Sequence, residues 1–328
     1  MSRAAYDVVA VGNAIVDVLA QVDFEFLARH GLMPASMTLV EEARATELTG
    51  VFPASKVLAP GGSAANTMAG VASYGGKAGY MGKVADDTLG ESYASAFAAA
   101  GVRFTTHPRK GPPGTARSLI AVTPDGQRSM NTFLGASSLL EPGDIDRALV
   151  EDATILFMEG YLFDRDDAKA AFVHAAEIAR GADRKVSLTL SDTFCVERHR
   201  ASFVHLVDHH VDVLFANEAE IVSLYETRDL GEALTAARAA CPVVAVTRSE
   251  HGSVIAAGSE TVTVRAEPVA KVIDTTGAGD QYAAGFLYGL AKGLPLAECG
   301  RLGSVAAAEV ISHMGPRPET NLRQLAGL

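Results

Sequence analysis

Two carboxylates, Asp274 and Asp280, bracket the small-residue turn Thr275-Thr276-Gly277-Ala278-Gly279, and the apolar run Gln281–Leu290 follows at once. Tyr282, Phe286, Leu287 and Leu290 recur at helical spacing, so the turn feeds the start of a helix. Gly277 and Gly279 let a ligand approach the backbone, and a helix start offers unpaired N–H groups and the positive end of a dipole. Such a turn can hold a phosphoryl oxygen while Asp280 faces whatever attacks it. Read more plainly, Asp280 is an acid in a first helical turn.

A second group is Pro60-Gly61-Gly62-Ser63-Ala64-Ala65-Asn66, with Gly82-Lys83-Val84-Ala85-Asp86-Asp87-Thr88-Leu89-Gly90 behind it. Paired glycines before a helix admit close backbone approach, and Asn66, one turn in, can donate and accept. Asn13 and Asp17 follow the first apolar strand, where ligands sit in open α/β folds; by spacing alone they read as turn formers. Asn217 reads as a helix cap and Glu220 as its capping-box partner. Arg128 is either an exposed strand residue or a clamp on a transferring phosphoryl group. His205 and His209 share a helix face with no metalloenzyme motif around them, and a solvated face is the reading taken. The chain has no Gly-x-x-x-x-Gly-Lys-[Ser/Thr] loop, and no Gly-x-Gly-x-x-Gly follows its first strand.

These residues need a scaffold, and the pattern supplies one. Tyr6–Val11, Ile155–Met158, Val186–Leu190, Val213–Ala216 and Val243–Val246 read as buried strands. Helical patterns at 167–180, 198–209, 218–225 and 230–240 alternate with them, the rhythm of an open parallel sheet with helices on both faces. Further helices are expected at Phe24–His30 (capped by Asp23, closed by Gly31), 41–48, 63–74 and 88–100, with a strand at 78–84. Segments near 15–22, 36–41 and 115–133 break the rhythm and suit a separate small sheet.

The 328 residues are 48% apolar and 20% charged, which suits a globular chain with a sizeable core. A formal net charge of −11 argues against a broad nucleic-acid or anionic-membrane surface, but leaves room for a local anion pocket. Cys195, Cys241 and Cys299 lack paired metal spacing and read as reduced and structural. Asp7, Asn13 and Asp17 interrupt the N-terminal apolar stretch, and no apolar window is long enough to span a bilayer. A soluble cytoplasmic protein is expected.

The pattern Asp-Thr-x-Gly-Ala-Gly-Asp at 274–280 resembles the C-terminal signature of the ribokinase-like (PfkB) family of sugar and nucleoside kinases. Gly61-Gly62 with Asn66, then Gly82, Val84, Asp87 and Gly90, is similar to that family's N-terminal signature. The resemblance runs from about Asp7 to Gly315. It implies one α/β kinase domain over 1–328: a ribokinase-like open, mostly parallel sheet with helices on both faces. A small β-rich lid would be inserted from segments near 14–44 and 104–134. By the same resemblance Asp280 is the general base and Gly277, Ala278 and Gly279 form the anion hole. Asn13, Asp17, Gly62, Ser63 and Asn66 would bind the acceptor's hydroxyls; Asn217, Thr247, Gly252 and Arg128 would lie on the ATP side. Glu220 would organise Mg²⁺ largely through water, and a monovalent cation such as K⁺ would sit near Asp274. One departure stands out: the family's usual Gly two residues after Thr247 is Ser249 here.

Asp17-Val18, Val22–Leu27, His30–Leu32, Glu41-Glu42, Thr115-Ala116, Arg128–Met130 and Gly135-Ala136 look like the adenosine-kinase branch. Phe133, Leu134 and Phe163 would then wall a purine, or else are ordinary lid and core residues. The expected reaction moves the γ-phosphate of ATP to a primary hydroxyl of a ribose-containing acceptor, adenosine (to AMP) or a related nucleoside, in a monomer or homodimer. Ribose or a fructose-type sugar as acceptor, and a non-catalytic nucleoside sensor, stand as alternatives; an oxidoreductase is the weakest.

Overall fold

The computed structural model describes residues 4–328, apart from the side chains of Phe163 and Asp164. Its strands are β1 Tyr6–Val11, β2 Ile15–Gln21, β3 Met37–Leu39, β4 Val57–Gly61, β5 Ala78–Met81, β6 Val102–Phe104 and β7 Ala116–Val122. They continue as β8 Arg128–Phe133, β9 Ala153–Glu159, β10 Lys185–Thr189, β11 Val213–Asn217, β12 Val243–Thr247, β13 Ser253–Ala257 and β14 Glu260–Val264. Nine form one sheet in the order β14-β13-β12-β11-β10-β9-β1-β5-β6; five form another, β3-β8-β7-β2-β4.

Alternation along the strands explains the large sheet. Val9 and Val11 of β1 enter one core with Leu156 and Met158 of β9, beneath Phe172 and Phe203. Val8 and Ala10 enter the opposite core with Ile155 and Phe157, beneath Met68 and Phe286. A strand apolar on both sides can be satisfied only between two helical layers. Pairing is parallel from β6 through β12; β12, β13 and β14 close the far edge as an antiparallel meander.

The small sheet has two unlike faces. Val18, Ala20, Leu119, Ala121 and Phe133 pack against Leu27, Ala45, Leu48 and Phe52 from the helices Phe24–His30 and Glu42–Val51. Across the pleat, Asp17 pairs with Ser118, whose hydroxyl meets that of Thr132 at 2.8 Å. This sheet thus has a dry side and a polar side, and Asp17 is on the polar one.

Asp23 caps the helix Phe24–His30 and Gly31 ends it in the left-handed region, as the sequence predicts. The strand expected over 78–84 ends at Met81. The meander β13–β14, the short strands β4 and β6, and the helix Leu296–Val310 packed on the helix Ala278–Ala291 were not anticipated. Among the described residues no helix is long and apolar enough to cross a membrane.

Candidate active site

Asp280 lies in the first turn of the helix Ala278–Ala291, which packs on the helix Ser63–Ser73. Its Oδ1 accepts from the Ser63 hydroxyl at 2.6 Å and its Oδ2 from Asn66 Nδ2 at 3.0 Å. Two signatures more than two hundred residues apart in the chain therefore meet at one carboxylate. Burial pushes this carboxyl up to about 6, against the two hydrogen bonds and the Arg317 charge, which pull it down. Gln281, fully buried, spans Asn66 O and Pro316 O at 2.9 Å each and locks the two helices in register.

The turn before Asp280 is shaped to receive an anion. Gly277 has φ +79 as the helix cap, and an added Cβ there would lie 2.7 Å from Pro316. Among the described residues, the N–H groups of Gly277, Gly279 and Asp280 have no protein acceptor; that of Ala278 donates to Thr275 O at 3.2 Å. Nothing lies within 4 Å of a Cβ built on Gly279, so the turn is open on that side.

Asp17 of β2 faces the same cleft. Burial lifts its carboxyl to about 7; Arg317 and Arg128 oppose the rise and Asp280 adds to it. Room for Asp17 comes from Gly61, where a Cβ would fall 2.4 Å from its Oδ2. Asn13 is held by its backbone, its N–H donating to Glu159 Oε1 at 2.8 Å, while Glu159 Oε2 accepts from Ala64 N at 2.7 Å. Glu159 is wholly buried, and that burial raises it to about 7.

The carboxyl ends of the parallel strands put the remaining residues in a row. Asn217 and Thr247 are register partners at the ends of β11 and β12, Glu159 ends β9, and Asn13 follows β1. Asn217 and Glu220 make a full capping box, with Asn217 Nδ2 also donating to Glu220 Oε1 at 2.7 Å. Burial lifts Glu220 to about 7. Gly252 turns the chain into β13 at φ +79. Ser249, where the signature usually has glycine, takes the left-handed φ of +50. The carboxylates Asp192, Asp280, Glu220 and Glu159 all act on the Tyr161 hydroxyl, which burial has already pushed well up. An acidic cleft thus runs along this edge.

Two expected residues fall differently. Arg128 is paired with Asp274, both nearly buried, and so joins the small sheet to the signature turn. Phe133 lies on the dry side of the small sheet under the Arg117 guanidinium, facing away from Asp17, because Phe133 pairs in register with Arg117 rather than Ser118. Leu134 does line a small cavity, with Asn13, Ser138, Tyr161, Leu162 and Arg165. The Phe163 side chain lies outside the described residues. Glu159, Tyr161 and Arg317 escaped the sequence reading. Glu159 could have been found as an acid closing a buried parallel strand, and Arg317 as a cation held between Pro316 and Pro318.

The sequence profile described as pfkB family carbohydrate kinase matches residues 35–321. The chain belongs to that family. Adenosine kinase from Sinorhizobium meliloti is 48% identical, over 99% of each chain, with a TM-score of 0.91. A probable sugar kinase from Rhizobium etli is 46% identical over 99% of this chain and 98% of its own, at a TM-score of 0.92. Adenosine kinase of Saccharomyces cerevisiae is 28% identical over 330 residues, 94% of this chain and 95% of the yeast protein. As a pfkB-family member the protein is an ATP-dependent kinase acting on a hydroxyl group.

Proposed function

We propose that this kinase transfers the γ-phosphate of ATP to the 5′-hydroxyl of adenosine or a related nucleoside. The observation that carries the reading is Asp280, fixed at both oxygens by Ser63 and Asn66 beside three backbone N–H groups without an acceptor among the described residues. A carboxyl near 6 is ionised at neutral pH yet basic enough to take the hydroxyl proton as the new O–P bond forms. The N–H groups of Gly277 and Gly279, with Ala278 if it exchanges Thr275 for the ligand, stabilise charge on the transferring group. Asp17, Asn13, Gly62, Ser63 and Asn66 surround the acceptor; Asn217, Thr247 and Gly252 flank the nucleotide. The small sheet acts as a lid of the single 1–328 domain, closing over the cleft to exclude water. Leu134, Tyr161 and Leu162 are better placed than Phe133 to wall the base.

Kinases of this family use Mg²⁺ with ATP. Among the described residues no cluster of three or more acids, histidines or cysteines makes a protein cage. The buried carboxylates without cations beside them, Glu220 first, fit a Mg²⁺ held chiefly by phosphates and water. Bound there, it supplies neutralisation of phosphate charge. Asp274 does not fit a monovalent cation in this arrangement: Arg128 and the N–H groups of Thr276 and Gly315 already take up its oxygens. These contacts hold its carboxyl below the usual range against the burial that would raise it. Arg128 itself serves the lid as its tether to the signature turn. All three cysteines are buried, which suits the structural, reduced role expected of them in a cytoplasmic protein.

The 46% identity to a probable sugar kinase favours a sugar acceptor as the second reading. Mg²⁺-dependent ATP consumption with adenosine, guanosine, inosine, cytidine, ribose and fructose separates them. Turnover on adenosine supports the first reading and turnover on a free sugar the second. Tight binding with no turnover on any of them overturns both.

A further inference from the structure

Arg317 enters the cleft from the segment after the helix Leu296–Val310. That segment is anchored by Glu309, whose Oε1 accepts from Glu319 N, Thr320 N and Thr320 Oγ1, each at 2.9 Å. Glu309 Oε2 meets His313 Nε2 at 3.2 Å, and Pro316 packs against Gly277. The guanidinium is held over the Phe97 ring, 5.3 Å from its centroid. Its Nε donates to Asn66 Oδ1 at 3.3 Å, and the other end of that amide donates to Asp280. Its Nη2 is buried with no hydrogen-bond partner among the described residues.

We propose that Arg317 is a positioning residue for the transfer: it fixes which way the Asn66 amide points, and its charge holds Asp17 and Asp280 in one cleft. The inference rests on the kinase reading above. An amide can turn over. With Asn66 reversed, its NH₂ would face Arg317, and its carbonyl oxygen would face Asp280 and repel it. The Arg317 donor excludes that arrangement. The charged and titratable groups facing Arg317 are Asp17 from β2, Asp280 from the Ala278–Ala291 helix, Tyr93 from the Thr88–Ala99 helix, and Tyr80 from β5. Asp280 in turn faces Ser63, Asn66 and Arg317, and adds charge to Asp17 and Glu159. Arg317 heads the charges that lower Asp17, and it also lowers Asp280. Asp17 also has Arg128 nearby.

The test is the pH profile of kcat/KM for adenosine, with ATP and Mg²⁺ saturating, in wild type, Arg317→Gln and Arg317→Lys, each checked for folding by its thermal midpoint. Removing the charge should move the acid limb of Arg317→Gln upward by about one unit, the lower end of what an adjacent guanidinium does to a carboxylate. Arg317→Lys should keep the limb at the wild-type position while losing kcat, because Lys restores the charge and not the fork over Asn66. A folded Arg317→Gln with an unmoved acid limb overturns the proposal, as does a limb that moves equally in both variants. A wild type with no acid limb between pH 5 and 8 would sink the base reading itself, a result distinct from either.

Discussion

Replacing Ser63 with alanine removes the 2.6 Å hydrogen bond to Asp280 Oδ1 and leaves Asn66 on the other oxygen. A hydrogen bond to a charged group is worth about 1.5–3 kcal/mol, and one pKa unit is about 1.4 kcal/mol, so the carboxyl should rise by about 1–2 units. Starting from about 6, it would reach roughly 7–8. The ionised fraction at pH 7 then falls from about nine-tenths to between about one-half and one-tenth. For a general base this predicts that kcat/KM at pH 7 drops roughly two- to tenfold in Ser63→Ala and recovers toward wild type by about pH 9. The assay is initial-rate kinetics with adenosine from pH 5 to 9 at saturating ATP and Mg²⁺. A folded Ser63→Ala whose acid limb coincides with wild type refutes the reasoning. So does a uniform loss at every pH with the limb unmoved, which would leave Ser63 acting on the acceptor alone and not on the base.

Gly61→Ala puts a Cβ about where the Asp17 carboxylate lies, 2.4 Å from Oδ2, so Asp17 must swing away. Acceptor KM should rise roughly tenfold, one misplaced charged hydrogen bond, with the KM for ATP little changed. Ser249→Gly relieves a left-handed backbone worth about 1–2 kcal/mol against about 0.4–1 kcal/mol of added unfolded-chain freedom, and should raise stability by about 0.5–1 kcal/mol in denaturant titration; no gain would contradict it. Burial lifts Asp17, Glu159 and Glu220 to about 7 and Asp280 to about 6. Between about pH 4 and 7 the native state therefore binds more protons than the unfolded chain, and stability falls as pH rises. The thermal midpoint of the ligand-free protein should be lower at pH 8 than at pH 5.5; an equal midpoint at both would contradict these shifts.

What the sequence showed and what it hid divide along physical lines. Continuous apolar runs and their caps carry their structure locally, so β1, β9, β11, β12 and the Phe24–His30 helix could be read in place. The two Gly-rich signatures were legible because few residue types permit such turns, and the fold brings both to Asp280. Short strands without alternation, β4 and β6, depend on neighbours far along the chain for their pairing. Phe133 shows the limit most clearly: which side of the small sheet it takes is fixed by its register with Arg117, and neighbouring residues do not reveal that. Arg128 and Arg317 were undecided or unseen because an arginine's partner is a tertiary fact; one found Asp274 and the other Asn66.

The central claim is that Asp280 is the base of an ATP-dependent phosphoryl transfer, and Asp280→Asn tests it most directly. Asparagine keeps the shape and the neighbours but cannot take a proton, so turnover on the preferred acceptor should fall by about 10²–10⁴ while ATP and acceptor still bind. A folded Asp280→Asn with kcat near wild type would remove Asp280 from the chemistry and the account with it.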